Sequence, residues 1–115
     1  MKKIKNFKIG IIGLGYVGLP LALSFGKKFN TIGFDLKKKR IEQLKKSKDI
    51  NLESSFKDFI SAKKILFSNN INDLKECNFY IITVPTPINR NKKPDLEALK
   101  SASKSVAKLL NKGDI

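Results

Sequence analysis

Three glycines, Gly13, Gly15 and Gly18, have the spacing with which a protein backbone approaches the pyrophosphate of a dinucleotide. An apolar run at 9–12 precedes them, and a helix-like run at 17–29 follows them. The first glycine permits a tight turn, the second leaves room for a phosphate, and the third lets the helix lie close to the strand. N–H groups at the start of that helix, with its dipole, would bind the anion. A glycine-rich turn that binds nothing is the alternative.

An acidic residue at the expected distance favours the dinucleotide interpretation. Asp35 follows a strand-like run at 31–34 and lies 22 positions after Gly13, near the roughly 20-residue offset typical of such sites. A carboxylate there accepts hydrogen bonds from the adenosine ribose hydroxyls and repels a 2′-phosphate, which favours NAD over NADP. The alternative is an aspartate that caps the next helix.

The basic run after Asp35, Lys37-Lys38-Lys39-Arg40, leaves the choice of cofactor open. Basic residues at this place accommodate the 2′-phosphate in NADP enzymes. The run also fits a solvated first turn of a helix. Arg40 is one turn past the strand end, from which a guanidinium group could lie over the adenine ring.

A second turn, Pro85-Thr86-Pro87, follows the apolar run at 78–84. In an open α/β sheet, ligands bind beyond the carboxyl ends of the strands, where both this turn and the glycine turn fall. The Thr86 hydroxyl could reach a ribose or the nicotinamide. A rigid exit from the strand is the alternative. Beside Gly13 and Asp35, we favour a cofactor contact.

The elements that position these residues alternate between strand and helix. Strands are predicted at 7–12, 31–34, 64–68 and 78–84, and helices at 17–29, 40–46, 56–62, 72–76 and 94–110. This order predicts an α/β protein with a Rossmann-type, doubly wound parallel sheet. Four strands and, at Asp114-Ile115, the start of a fifth are present, so we interpret residues 1–115 as part of a dinucleotide-binding domain in a longer protein.

Hydrophobic patterns predict which faces of these elements are buried. The strand at 78–84 is almost wholly apolar and is predicted to be central. Ser54 and Ser55 are candidate caps of the helix at 56–62. The buried face of the first long helix is predicted to carry Val17, Leu21 and Phe25. That of the last is predicted to carry Leu96, Leu99, Ser103, Val106 and Leu110.

Composition excludes several other classes of function. The net charge is +14, but the lysines are spread along the chain without interleaved aromatic residues, so we expect no specific nucleic-acid binding. The chain has no histidine, which excludes a histidine general base, a Ser-His-Asp triad and histidine-based metal ligation, and we expect no metal site. Cys77 is the single cysteine and is predicted to be a small buried side chain.

The apolar segments argue against a membrane protein. No run of about 18 apolar residues is present, so no membrane span or membrane partner is expected. The basic N-terminus precedes an apolar segment, but lysine and glycine interrupt that segment and no small-residue cleavage site follows. The predicted location is the cytoplasm.

Four stretches resemble the UDP-glucose/GDP-mannose dehydrogenases, also called nucleotide-sugar 6-dehydrogenases. They are IIGLGYVGLPLA at 11–22, GFDLKKKR at 33–40, YIITVPTP at 80–87 and PDLEAL at 94–99. The combination of GLGYVGLPLA and VPTP is specific, because many oxidoreductases carry the glycines and few carry both. The VPTP form followed by PDL resembles the branch that acts on UDP-N-acetylhexosamines or their uronate relatives.

The resemblance implies NAD as the cofactor and assigns residues to it. It implies that the pyrophosphate is lined by Gly13, Gly15, Tyr16, Val17 and Gly18. It implies that Asp35 binds the adenosine ribose, that Arg40 lies at the adenine end, and that Pro85 and Thr86 contact the cofactor further along.

The resemblance also implies a reaction whose catalytic residues lie outside this chain. The family oxidises the C6 alcohol of a nucleotide sugar to a carboxylate with two NAD, through a thiohemiacetal or thioester on a cysteine. That cysteine and the central and C-terminal sugar-nucleotide domains lie beyond the first domain, and Cys77 matches no catalytic motif. No catalytic residue is therefore assigned, and the chain alone is expected to be inactive. A UDP-sugar substrate and a homodimer or larger homo-oligomer are expected of the full-length protein.

Two other functions share parts of this pattern. A non-catalytic NAD-sensing module would have the glycine turn and Asp35, but it has no evident need for the turn at 85–87. Another NAD(P) dehydrogenase of similar fold, of the 3-hydroxyacyl or 6-phosphogluconate type, would have the same glycines.

Overall fold

A computed structural model describes residues 6–47 and 55–115 as strands alternating with helices. The strands are β1 Lys8–Ile12, β2 Asn30–Phe34, β3 Ile65–Ser68 and β4 Phe79–Ile82. The helices are α1 Gly18–Gly26, α2 Lys38–Lys45, α3 Phe56–Ser61 and α4 Glu97–Ala107, with a 3₁₀ turn at Ile71–Leu74. None of the helices in these ranges is long and apolar enough to cross a membrane.

The four strands form one parallel sheet in the order β3-β2-β1-β4. Successive side chains of a strand point to opposite faces. Ile9 and Ile11 accordingly belong to a core with α1 and α3, whereas Ile12 belongs to a second core that includes Val106 of α4. Helices thus cover both faces, and the predicted doubly wound α/β architecture is confirmed.

Among the four described strands, β2 and β1 each have a neighbouring strand on both sides, whereas β4 lies at the end of the order. The prediction of a central fourth strand is therefore wrong for these four strands, and all four β4 residues are partly exposed. On the outer side of β4, Ile115 donates to the carbonyl of Asn78 at 3.0 Å and accepts from the N–H of Tyr80 at 2.7 Å. These two bonds have the parallel-strand pattern and lie where a fifth strand is expected.

The buried face of α1 is centred on other residues than the predicted ones. The helix begins at Gly18, so Val17 precedes it and its side chain is 67% exposed. The buried positions are Gly18, Leu19, Ala22, Leu23 and Gly26, and the predicted Leu21 and Phe25 are partly buried at the margin of the core. Nearly every residue of α1 is apolar, so periodicity could not identify the side that meets the sheet.

The predicted buried face of α4 is correct at Leu99, which is partly buried, and at Val106, which is buried. Elsewhere it is displaced by one position, because Ala102 and Leu109 are partly buried instead of Ser103 and Leu110. Leu110 follows the last helical residue and is 47% exposed. The predicted helix was too long at both ends, which allowed its terminal leucines to be assigned to the wrong face.

Side-chain caps set the start of the shorter elements. Ser55 caps α3, where its hydroxyl and the Asp58 carboxylate each accept from the other residue's backbone N–H. The other candidate cap, Ser54, lies outside the described residues. The element predicted at 72–76 is a single 3₁₀ turn, because the Asn70 side chain accepts from the N–H of Asn72 and starts it earlier.

Candidate cofactor-binding site

The glycine turn, residues 13–18, begins where β1 ends, between the ends of two other strands. The N–H of Gly13 donates to the carbonyl of Phe34 at the end of β2, at 2.8 Å. The N–H of Thr83, just after β4, donates to the carbonyl of Ile12, also at 2.8 Å. Three neighbouring strands therefore hold the turn at the carboxyl edge of the sheet, where α/β proteins of this kind bind ligands.

The three glycines have three different surroundings. Gly13 has a φ of +102°, and a Cβ there would lie 2.9 Å from the backbone of Thr83. A Cβ on Gly18 would overlap the carbonyl oxygen of Gly13, so only glycine lets α1 approach the turn this closely. A Cβ on Gly15 would meet nothing within 4 Å. The open space beside Gly15 fits a phosphate placed against the main chain.

The start of α1 offers backbone donors to an anion. The first hydrogen bond into the helix runs from the N–H of Leu19 to the carbonyl of Gly15, at 3.2 Å. Within residues 6–47 and 55–115, the N–H groups of 15–18 have no hydrogen-bond acceptor. Such groups, at the positive end of the helix dipole, are a recurrent binding site for phosphate.

Asp35 lies directly after β2 and contacts the glycine turn. One carboxylate oxygen, Oδ2, accepts from the N–H of Leu14 at 3.0 Å. The other, Oδ1, accepts from the N–H of Lys37 at 2.9 Å, just before α2. The N-cap residue of α2 is Lys37, and no side chain caps that helix, so Asp35 is not its cap. The carboxylate instead joins the glycine turn to the segment just before α2. Each oxygen keeps lone-pair capacity for a ribose hydroxyl.

Arg40 reaches the same turn from α2. Its Nε donates to the carbonyl of Leu14 at 2.8 Å. Asp35 accepts from the N–H of Leu14, so both backbone polar groups of that residue are bonded to side chains. Lys37, Lys38 and Lys39 are exposed. Sequence spacing did not reveal this supporting contact, and a role for Arg40 at the adenine end stays a prediction.

Thr83 is a site residue that the sequence analysis missed. Its hydroxyl donates to the carbonyl of Gly13 at 2.7 Å and lies 3.3 Å from that of Ile12. A signal was available in the sequence, since Thr83 is the one hydroxyl-bearing aliphatic residue in the apolar run that ends at Val84, at the carboxyl end of a strand. The side chain joins the end of β4 to the glycine turn.

The second predicted turn lies at the same edge of the sheet but is exposed. Pro85 and Thr86 are both exposed, and within the described residues no hydrogen bond joins them to the glycine turn. The loop after them is held by its own backbone. The backbone N–H of Asp95 donates to the carbonyl of Pro87 at 2.6 Å, and an antiparallel bridge joins Ile88 to Pro94. A cofactor contact by Pro85 and Thr86 stays a prediction.

Two further residues assigned to the pyrophosphate, Tyr16 and Val17, have exposed side chains. They are 66% and 67% exposed, respectively. Their side chains are therefore outside the core, and a role of these two residues at the pyrophosphate stays a prediction.

Cys77 is buried as predicted, with 2% of its surface exposed. Burial raises the pKa of its thiol to about 11, so the thiol is protonated near neutral pH. A protonated, buried thiol is a poor nucleophile. The structure therefore gives no support for a catalytic role of Cys77.

The combined geometry fits a dinucleotide. The site offers a carboxylate at Asp35 for a ribose, open backbone at Gly15 and helix N–H donors for two phosphates. A bound nicotinamide cofactor would supply a ring that accepts a hydride, and the protein would supply binding and orientation. All of these groups lie on the described chain and face the carboxyl edge of one sheet.

Known proteins share this arrangement over nearly the whole chain. The chain is 55% identical to UDP-N-acetyl-D-glucosamine 6-dehydrogenase of Salmonella typhi over 97% of its length, and 47% identical to the Pseudomonas aeruginosa enzyme of the same name. It covers 26% of each of these relatives. The solved UDP-D-ManNAc dehydrogenase of Pyrococcus horikoshii superposes with a TM-score of 0.81 at 29% identity, over 94% of this chain and 27% of that one.

The similarity extends to a family description that names the cofactor. Residues 7–115 match the NAD-binding domain of the UDP-glucose/GDP-mannose dehydrogenase family. The predicted Rossmann-type fold and the predicted NAD cofactor are thereby confirmed. The glycine turn and the carboxylate at the end of β2 both lie within the matched residues, and the chain belongs to the UDP-glucose/GDP-mannose dehydrogenase family.

Proposed function

We propose that the polypeptide containing this chain is an NAD-dependent UDP-sugar 6-dehydrogenase. It oxidises the C6 alcohol of the sugar to a carboxylate, and two NAD take up the four electrons. The observation that carries this proposal is the intact glycine turn, open at Gly15 and braced by Asp35, in a chain closely similar to such dehydrogenases.

Within the reaction, the residues of this chain bind and orient the cofactor. The backbone N–H groups of Gly15, Tyr16, Val17 and Gly18 bind the pyrophosphate, and Gly13 shapes the turn. The Asp35 carboxylate binds the adenosine ribose and Arg40 lies at the adenine end. Pro85 and Thr86 contact the cofactor further along, towards the nicotinamide.

The proposed substrate is a UDP-N-acetylhexosamine, as in the names of the similar enzymes. Uronates of this kind suggest a place in polysaccharide biosynthesis. The chain spans about a quarter of the length of these relatives, and we propose that residues 1–115 are part of an NAD-binding domain. Central and C-terminal sugar-nucleotide domains would supply the catalytic cysteine. A homodimer or larger homo-oligomer in the cytoplasm is the proposed state.

Binding of NAD is the first test. We expect the natural polypeptide to bind NAD more tightly than NADP, and Asp35→Ala to weaken NAD binding by about 1–3 kcal/mol, because hydrogen bonds to a charged group are lost. Glu42→Ala is the matched control, since Glu42 is an exposed acid on the neighbouring helix. Unchanged NAD affinity in Asp35→Ala would show that the ribose is misplaced, and preference for NADP would show that the basic run dominates.

Turnover is the second test. The natural polypeptide is expected to reduce NAD with UDP-N-acetylglucosamine or UDP-N-acetylmannosamine, at two NADH for each uronate. Residues 1–115 alone are expected to produce no NADH. NAD binding by the natural polypeptide without oxidation of any UDP-sugar would instead indicate a sensing module.

A further inference from the structure

The peptide unit between Gly13 and Leu14 is held at both of its polar ends. Its carbonyl oxygen accepts from the Thr83 hydroxyl at 2.7 Å, and its N–H donates to Asp35 Oδ2 at 3.0 Å. The two side chains come from the ends of different strands, which lie on opposite sides of β1. One peptide plane is therefore fixed by residues 48 positions apart in the chain.

This peptide needs such fixing because Gly13 is permissive. Glycine adopts both signs of φ at little cost, so its φ of +102° does not by itself select one orientation of the following peptide. Gly13 is buried, with Gly18 packed against its carbonyl oxygen. Removing the Thr83 hydroxyl would leave that buried carbonyl without its donor, which is costly.

The orientation matters for an anion at the turn. The carbonyls of Gly13 and Leu14 are engaged by Thr83 and Arg40, while the N–H groups of 15–18 have no acceptor among the described residues. If the Gly13–Leu14 peptide rotated, the Asp35 bond to Leu14 would break and a carbonyl oxygen could turn towards the phosphates. Like partial charges would then repel the ligand.

We propose that Thr83 is a positioning residue for the pyrophosphate of the dinucleotide, because its hydroxyl fixes the Gly13–Leu14 peptide in the orientation that leaves the N–H groups at the start of α1 facing the ligand. Thr83 acts through Gly13 and does not itself touch the phosphates. This inference rests on the proposed function, since it concerns affinity for the bound dinucleotide.

The test compares ligands with and without phosphates. Thr83→Val removes the hydroxyl at nearly constant shape, and Thr83→Ser keeps it. In the natural polypeptide, dissociation constants for NAD and ADP are measured by calorimetry and that for adenosine by NMR titration. We expect Thr83→Val to weaken NAD and ADP binding about fivefold, the effect of one lost hydrogen bond. Adenosine binding should change less than twofold, and Thr83→Ser should match the parent.

The outcomes separate the possibilities. The proposal is wrong if Thr83→Val leaves the ratio of ADP affinity to adenosine affinity unchanged. It is also wrong if Thr83→Ser weakens NAD and ADP binding as much as Thr83→Val does. If the parent binds no NAD, the proposed function itself fails. If Thr83→Val does not fold, Thr83→Ala replaces it, because it removes the same hydroxyl and leaves a smaller side chain. The ratio of ADP affinity to adenosine affinity is then measured for Thr83→Ala.

Discussion

The glycine turn and the loop that follows β4 lie at the same edge of the sheet but are held in different ways. Side chains from three separate elements, Asp35, Arg40 and Thr83, bond to the backbone of the turn. The loop at 85–94 is exposed, and the hydrogen bonds of its described residues join them to one another or to Asp95. The turn is therefore fixed by side chains from other parts of the fold, whereas the loop is held by hydrogen bonds among its own residues.

This difference divides the proposed cofactor site into two parts. The adenosine and pyrophosphate side is assembled from residues that the described chain itself brings together. The side assigned to Pro85 and Thr86 is formed by an exposed loop. We therefore expect substitutions at the turn to alter folding or binding strongly, and substitutions in the loop to leave stability nearly unchanged.

The largest expected effect separates two glycines of the same turn. Gly18→Ala would overlap the Gly13 carbonyl, and we expect it to lower the free energy of unfolding by at least about 3 kcal/mol in urea titrations, because the backbone must shift. Gly15→Ala points its Cβ into open space and should change stability by less than about 1 kcal/mol. It should still weaken NAD binding by about tenfold or more, because the methyl group takes the place of a phosphate.

Two outcomes with these glycine variants would contradict the different roles of Gly15 and Gly18. Equal loss of stability in Gly18→Ala and Gly15→Ala would contradict the close approach at Gly18. Full NAD affinity in Gly15→Ala would show that the open space is not the phosphate site.

The buried thiol of Cys77 predicts that the free energy of unfolding depends on pH. Cys77 lies close to Gly10 of β1, and its pKa rises from 9.0 to about 11 on folding because it is buried. The unfolded thiol ionises above pH 9 while the folded thiol stays neutral. The contribution of the neutral thiol to the free energy of unfolding is therefore complete below pH 9. It falls by up to about 2–3 kcal/mol as the pH rises to about 11.

The measurement compares urea unfolding of the parent and Cys77→Ala across this range. The parent should lose more stability between pH 9 and 11 than the variant does, although the variant is less stable at neutral pH. Identical slopes in the two proteins would mean that the thiol does not titrate as its burial predicts.

A smaller effect is expected at Arg40. Arg40→Lys keeps the charge but lacks the Nε–H that donates to Leu14, and lysine does not reproduce that geometry. We expect stability to fall by about 1 kcal/mol and NAD affinity to fall with it. Lys39→Ala, at an exposed neighbour, should stay within about 0.5 kcal/mol of the parent. Equal effects of the two substitutions would show that Arg40 contributes only charge.

The smallest stability effect is expected in the loop. Thr86→Val should change the free energy of unfolding by less than about 0.5 kcal/mol, because Thr86 is exposed. If its hydroxyl contacts the cofactor, calorimetry should show weaker NAD binding by about 1 kcal/mol. A loss of stability like that of Arg40→Lys would remove the distinction between the two regions.

The arrangement of the fold was predictable because each local signal agreed with the next. The apolar run before Gly13, the glycine spacing and the position of Asp35 all indicate one strand-turn-helix-strand unit, and the structure contains it. The order of the strands in the sheet could not be predicted from local signals in the same way. The apolar character of β4 suggested a central strand, but composition does not say which neighbours a strand pairs with.

The sequence by itself determined where a dinucleotide can approach the backbone, since only glycine allows the conformation at Gly13 and the contact at Gly18. The tertiary structure decided what holds that backbone in place. Thr83 and Gly13 are 70 positions apart, and no local pattern connects them. Their hydrogen bond exists because parallel pairing brings the end of β4 beside the end of β1, and pairing of that kind depends on the whole sheet rather than on any one segment.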